Sequence, residues 1–403
     1  MGKIKQAVIF AGGLGERLRP FTETNPKPMY PFQGKPFIEY LVEQIVSFGI
    51  KDIIILLGYL PEKVTEHLGD GSRFGVKINY CITPVEYDTQ FRLKAAEDDL
   101  QDEFLMMYCD NYCPVNFERL VKAYEENGAW IQFTAYANLD GYTKNNLKIA
   151  EDGQVLVYDK KRTQPDLQGV DIGYAIVSKK VLSLMSDQNE NFEAVVYPQL
   201  VEQGLLYAMV TEHRYYSIGS FARIELTEEF LSGQKYIFLD RDGTLDVRPP
   251  KAHYVEKPED FIWLPGAREA VKKLKDAGYF IILVSNQAGI AMGRMTDEDV
   301  ARVNEKMQDD LLAIGACIDA IYYCPHGWDS TCSCRKPKPG MLYQAQKDYS
   351  INLPECYLIG DDERDILTAE NADVKGILVD EKYTLLDAVN DLLAGRLQNE
   401  ERR

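Results

Sequence analysis

Two carboxylates, Asp240 and Asp242, stand two residues apart directly after the apolar run Tyr236 to Leu239, and Gly243 and Thr244 follow them. That spacing lets both face one phosphate: one carboxylate can attack phosphorus, while the other hands a proton to the leaving oxygen and later takes one from water. Gly243 permits the sharp turn the backbone needs there. An Asp-rich loop alone would be commonplace, but three further elements follow in order. Ser285 and Asn286 end a second strand-like run with a hydroxyl placed to bind phosphate oxygens. Arg335 and Lys336 supply cations that can neutralise a pentacovalent phosphoryl group. Asp361 ends a third run with a carboxylate suited to Mg2+, a hard cation that prefers oxygen ligands.

Just ahead of Arg335, Cys324, His326, Cys332 and Cys334 fall close together in a chain with only 8 cysteines and 4 histidines. Three thiolates and one imidazole make a closed tetrahedral set, which suits structural Zn2+ and leaves no open position for catalysis. A second chemical constellation lies near the N-terminus. Gly12, Gly13 and Gly15 follow the run Ala7 to Ala11, and glycines let backbone N–H groups approach a nucleotide's phosphates. Such turns often merely join a strand to a helix. Arg17 and Lys27 add two cations at fixed distances from the glycines, a clamp that a leaving pyrophosphate needs.

The four C-terminal elements resemble the motifs of the haloacid dehalogenase superfamily of phosphatases, over roughly residues 235 to 395. The resemblance implies Asp240 as the nucleophile that forms an aspartyl phosphate and Asp242 as acid/base. Ser285 and Lys336 would hold the transferring group, Asn286 and Arg335 would meet substrate, and Asp240, Asp242 and Asp361 would carry Mg2+. The cysteine loop is similar to that of histidinol phosphatases and heptose bisphosphate phosphatases, which lack a large cap. The run Ala11 to Met29, with Pro26, Lys27 and Pro28, resembles the signature of the sugar-1-phosphate nucleotidylyltransferases, with further matches over roughly residues 4 to 230. That resemblance implies Asp110 as a Mg2+ ligand, Lys160 at the sugar phosphate, Gly173 at the sugar and Thr89 near the nucleotide. Ser217 stands where the family usually has a second metal aspartate, and a hydroxyl is a weaker, neutral ligand.

Short β-branched runs alternate with helix-period segments throughout, as in Ile53 to Leu57, Phe104 to Cys109, Phe280 to Ser285 and Tyr357 to Gly360. This predicts α/β architecture with two doubly wound, mostly parallel sheets: a Rossmann-like nucleotidyltransferase domain over 1–233, then a capless haloacid dehalogenase-like domain with a zinc loop over 234–403. Leu385 to Leu397 reads as an amphipathic helix followed by a charged end. A length of 403 residues also favours two cores over one. The net charge of −18 disfavours nucleic acid as a partner, and no apolar run approaches membrane-spanning length. Cysteine usage without a signal-peptide pattern fits a reducing cytoplasm. The expected partners are therefore sugar phosphates and an NTP, with Mg2+ in both domains and Zn2+ in the second, and self-association into a homo-oligomer is compatible with the sequence.

Joined, the halves predict a bifunctional enzyme. Dephosphorylation of D-glycero-D-manno-heptose 1,7-bisphosphate yields a sugar 1-phosphate, which the other half activates with GTP or CTP. The rival expectation is an active phosphatase fused to a silent nucleotidyltransferase-like binding or dimerisation module.

Overall fold

Every position of the strand β1 (Gln6–Ala11) is buried: Ala7, Ile9 and Ala11 enter one core, Val8 and Phe10 another. The helix Phe37–Ser47 covers the first face and Phe192–Gln203 the second, so this strand lies inside a three-layer stack. The computed structural model describes residues 4–250 and 253–397, and chain contacts divide it between Ser232 and Gly233 into two units.

The first unit adds β2 (Asp52–Leu57), β3 (Lys77–Ile82), β4 (Glu103–Tyr108), β5 (Ile131–Tyr136), β6 (Val170–Ser178) and β7 (Leu206–Thr211) to one seven-stranded sheet. The strand order is β7-β5-β6-β4-β1-β2-β3. All neighbours run parallel except β6, which is antiparallel to both β4 and β5. The glycine-rich turn leaves β1 at its C-terminal end, and Asp110 follows β4 at the same edge. A two-residue ladder then pairs Ser217 with Asn111, bringing the later chain alongside Asp110.

The second unit is a five-stranded, all-parallel sheet of β8 (Lys235–Leu239), β9 (Tyr279–Asn286), β10 (Ala320–Cys324), β11 (Tyr357–Gly360) and β12 (Lys375–Leu378), ordered β10-β9-β8-β11-β12. Its central strand alternates in the same way. Ile237 and Leu239 pack towards the helices Ala267–Asp276 and Asp297–Leu312, while Phe238 packs towards Gly340–Tyr349. Asp240, Ser285 and Asp361 therefore emerge together at the C-terminal ends of β8, β9 and β11.

The last helix spans Leu385–Leu393, shorter than the predicted stretch, and the charged end beyond Leu397 lies outside the described residues. Among the described residues no helix is long and apolar enough to cross a membrane.

Candidate active sites

At the centre of the C-terminal site is a buried lysine. Lys336 Nζ donates to Asp240 Oδ1 at 2.6 Å, to Asp365 Oδ1 at 2.5 Å and to the Val284 carbonyl at 3.0 Å. Its backbone is clamped by Asn286, whose Oδ1 accepts from Lys336 N and whose Nδ2 donates to Lys336 O. Asn286 thus positions the lysine as well as lining the cavity. Burial pushes the Asp240 carboxyl up to about 7 against the opposing charge of Lys336, with Asp365 and Asp242 adding to the rise.

Asp242 is held from two sides. Arg241 donates to its Oδ1 at 2.9 Å, and Gln287 Nε2 donates to its Oδ2 at 2.8 Å and also to Ser285 Oγ at 2.8 Å. Of the expected ligands, Asp240 and Asp361 gather together, and Asp365 joins them. Oxygens of Asp240, Asp361 and Asp365 lie within 4.8 Å of one another, and the Asp242 carboxylate is drawn instead to Arg241 and Gln287. Asp361 Oδ1 is buried without a hydrogen-bond partner, and burial pushes this carboxyl up to about 6. A Cβ on Gly243, whose φ is +105°, would fall 2.0 Å from Asp361 Oδ2. An all-oxygen cradle with an unsatisfied buried acceptor fits a hard divalent cation such as Mg2+.

Cys324, His326, Cys332 and Cys334 converge as their spacing predicts. Cys324 Sγ lies 3.7 Å from Cys332 Sγ, 3.3 Å from Cys334 Sγ and 3.5 Å from His326 Nδ1, with Cys334 Sγ 3.3 Å from that nitrogen. Tetrahedral Zn2+ bonds to sulfur and nitrogen imply edges of roughly 3.4–3.8 Å, and the four distances, 3.3–3.7 Å, come within a few tenths of an ångström of those edges. The loop is tied to the active site through the chain, because Arg335 and Lys336 follow its last ligand. Arg335 Nη1 donates to the His326 carbonyl, and Lys338 Nζ donates to the Thr331 and Cys332 carbonyls.

The cavity over these groups measures about 930 Å³ and is lined by Asp240, Asp242, Ser285, Asn286, Arg335 and Lys336 among others. Four charged residues around it escaped sequence reasoning. Asp365 sits four residues after Asp361 in the first turn of the helix Glu363–Asn371, and that spacing was its available signal. Asp246 is fully buried with both oxygens unpartnered, and burial, then the Asp242 charge, push it up to about 8. Arg248 and Arg364 both donate to Asp362, and both line the cavity.

The N-terminal cleft, about 590 Å³, gathers Gly12, Gly13, Gly15, Arg17, Lys27, Thr89 and Asp110. Lys27 Nζ donates to Asp110 Oδ2 at 2.7 Å. Gly15 is required where it stands: its φ is +64°, and a Cβ would meet Lys27 Cβ at 2.8 Å. Gly12 has a different reason. A Cβ there would lie 2.4 Å from the guanidinium carbon of Arg92, which is buried and donates to the carbonyls of Gly12, Leu57 and Val85 and to Thr83 Oγ1. Arg92 thus laces together the loops after β1, β2 and β3. No sequence pattern marked it, because its partners are mostly backbone.

Thr89 Oγ1 accepts from Phe192 N at 2.8 Å and from Asn191 Nδ2, so it also braces the helix behind the cleft. Ser217 is buried beside Asp110, whose carbonyl accepts from Ile218 N at 3.0 Å. Among the described residues no trio of His, Cys, Asp or Glu gathers at Asp110.

Lys160 and Gly173 lie outside the lining of this cleft. A Cβ on Gly173 would touch the Tyr108 ring, which does line it, at 3.0 Å. Lys160 Nζ donates to Glu193 Oε2 at 2.7 Å and to Asn191. Beside this pair, burial pushes Asp171 up to about 7, with the Glu193 charge second. A carboxyl raised above its ordinary value of about 3.9 stabilises the fold fully below that value, and the contribution is lost as pH rises through about 7. Asp171→Asn should therefore gain thermal stability relative to the parent on going from pH 5 to pH 8, roughly 2–4 °C for each kcal/mol recovered. Paired melts at the two pH values check this, and a pH-independent difference would refute it.

The nucleotidyl transferase family matches residues 6–216, and a HAD-hydrolase-like family matches residues 333–391. The C-terminal part is similar to the D-glycero-beta-D-manno-heptose-1,7-bisphosphate 7-phosphatase of Haemophilus ducreyi, 42% identical over 150 residues, which is 36% of this chain and 81% of that protein. Among solved structures, the D,D-heptose 1,7-bisphosphate phosphatase from B. bronchiseptica complexed with magnesium and phosphate is 31% identical, with a TM-score of 0.38, over 40% of this chain and 99% of that one. HddC from Yersinia pseudotuberculosis complexed with GMP-PN is 24% identical, with a TM-score of 0.48, over 56% of this chain and 99% of that one.

Proposed function

Because the chain belongs over residues 6–216 to the nucleotidyl transferase family, and over its C-terminal unit to the family of the D-glycero-beta-D-manno-heptose-1,7-bisphosphate 7-phosphatases, we propose that it is a bifunctional enzyme of nucleotide-activated heptose synthesis. One site removes the 7-phosphate of D-glycero-D-manno-heptose 1,7-bisphosphate. The other transfers NMP from GTP or CTP to heptose 1-phosphate and releases pyrophosphate. The observation that carries this reading is the Asp240–Lys336–Asp365 bridge in a segment 42% identical to such a phosphatase, on one chain with a cleft holding Arg17, Lys27 and Asp110.

In the phosphatase half, the free oxygen of Asp240 attacks phosphorus while Lys336 and Ser285 hold the equatorial oxygens. The bond from phosphorus to the sugar oxygen breaks, and Asp242, steadied by Arg241 and Gln287, protonates that oxygen. Asp242 then takes a proton from the water that attacks the aspartyl phosphate, releasing inorganic phosphate and restoring Asp240. Mg2+ held by Asp240, Asp361 and Asp365 would supply charge that favours the ionised nucleophile and offsets the phosphoryl group.

In the transferase half, a sugar 1-phosphate oxygen displaces pyrophosphate from the α-phosphorus, with Arg17 and Lys27 positioned to take up the charge that leaves. Asp110 offers Mg2+ a single carboxylate, so the triphosphate itself would have to complete the coordination. Ser217 is the feature that favours the rival silent module. Pyrophosphate release from each NTP with heptose 1-phosphate and Mg2+ separates the readings: release with GTP or CTP supports transfer. No release with any NTP, together with a gain in Ser217→Asp, would favour the silent module.

The cysteine cluster is read as structural Zn2+ bracing Arg335 and Lys336. Cys332→Ala should bring zinc close to zero and raise KM for the bisphosphate roughly 10-fold through looser placement of these cations. Elemental analysis beside steady-state kinetics checks both, and unchanged zinc with unchanged KM would remove that role.

A further inference from the structure

The turn after Asp110 and the segment around Ser217 are fixed to each other through backbone groups. Ser217 pairs with Asn111 in the two-residue ladder, Ile218 N donates to the Asp110 carbonyl at 3.0 Å, and Thr227 Oγ1 donates to the Ser217 carbonyl at 3.0 Å. Position 217 is therefore a buried seat at the rim of the N-terminal cleft, filled by an uncharged residue. Gly219, which lines the cleft, shows what that seat faces. A Cβ there would lie 3.6 Å from Ser217 Oγ and 3.8 Å from Arg17 Nη2, so the hydroxyl and the guanidinium border one small space.

The two cations of this cleft are held differently. Lys27 Nζ is 2.7 Å from Asp110 Oδ2, so its charge is already matched. Arg17 is exposed, and among the described residues its guanidinium makes no hydrogen bond or ion pair. An aspartate at 217 would carry its carboxylate beyond the position of the serine hydroxyl, into the space that Arg17 borders, and would claim the guanidinium. Serine makes no such claim, and the fork of N–H donors is left facing a cleft that has to meet a triphosphate. A second divalent cation, by contrast, has little to bind. Among the described residues no trio of His, Cys, Asp or Glu gathers at Asp110, and a hydroxyl is a weak, neutral ligand.

We propose that Arg17 serves as the second cation of the transferase site, with Ser217 as the positioning residue whose neutrality keeps the guanidinium free, an inference that rests on the transferase reading above. As the sugar phosphate oxygen bonds to the α-phosphorus, the bond from that phosphorus to the bridging oxygen breaks and its electron pair stays on pyrophosphate. Arg17 meets the charge that grows there. Serine at 217 exchanges a second metal ion for a guanidinium, so the site works with one divalent ion at Asp110.

Calorimetric titration of inorganic pyrophosphate into the full-length protein in EDTA tests this without any divalent ion, with a combined Arg17→Gln and Lys27→Met variant giving the background from other sites. Arg17→Gln and Ser217→Asp should each weaken pyrophosphate binding about 10-fold, and their losses should not add when combined, because the aspartate acts through Arg17. Ser217→Asn, with the aspartate's shape and no charge, should stay within about threefold of the parent. With Mg2+, Ser217→Asp should lower kcat/KM for pyrophosphate release about 10-fold. Additive losses, equal weakening by Ser217→Asp and Ser217→Asn, or a parent that binds no tighter than the background overturns the inference. A parent that releases pyrophosphate from an NTP while Ser217→Asp releases it faster also overturns it and leaves the transferase reading standing. A parent that releases none with any NTP removes that reading and the inference with it.

Discussion

Replacing Asp240 by Asn should abolish phosphate release from the heptose bisphosphate, by roughly 10⁴-fold or more in kcat, while leaving pyrophosphate release at the N-terminal cleft within about twofold. The amide keeps the shape of the carboxylate but has no anionic oxygen to attack phosphorus. Lys336 retains Asp365 at 2.5 Å as a partner, so the buried cation is not stranded and the second unit should still fold. This separates the variant from a change at Lys336, which would leave two buried carboxylates facing each other. Phosphate and pyrophosphate assays on one preparation, with circular dichroism as a folding control, check the outcome. Appreciable residual phosphate release would take the nucleophile's role from Asp240.

The second large effect lies in the other unit. Lys27→Met should lower kcat/KM for pyrophosphate release roughly 10²–10³-fold and leave phosphate release unchanged. Lys27 is largely buried, with 12% of its side chain exposed, and its ammonium is 2.7 Å from Asp110. Removing it takes away a cation aimed at the leaving group and leaves Asp110 without its neutralising partner. Gly15 adds to the argument, because the turn is shaped around the Lys27 side chain and a Cβ would strike it. Separate rate measurements for the two reactions decide the point. Loss of both activities in this variant would contradict two independent sites.

Much of both sites was legible because parallel sheets place chemistry at strand C-termini, where an apolar run ends in a polar residue. Asp240, Ser285, Asp361 and Asp110 could all be found this way, and the cysteine loop could be found from ligand spacing alone. The carboxylate trio was less legible. Asp242 is a metal ligand only by what the resemblance implies, and the direction of its side chain is set by Arg241 and Gln287, which the pattern of the chain does not reveal. Asp365 needed the helical turn after Asp361 to bring it round to Lys336. Arg92 and Arg248 act through backbone carbonyls and through a carboxylate more than 100 positions away, so no local signal exists for either. Antiparallel β6 was hidden for a related reason. Its side chains are buried much as those of its parallel neighbours are, and strand direction leaves no mark on such a run.

The central claim is that one chain carries a sugar bisphosphate through dephosphorylation to a nucleotide sugar. The most direct measurement supplies the full-length protein with D-glycero-D-manno-heptose 1,7-bisphosphate, Mg2+ and each NTP in turn, and follows phosphate, pyrophosphate and nucleotide sugar in the same reaction. Phosphate should appear with every NTP, and pyrophosphate and a nucleotide heptose should appear in equal amounts with GTP or CTP. Phosphate without nucleotide sugar for every NTP would contradict the account.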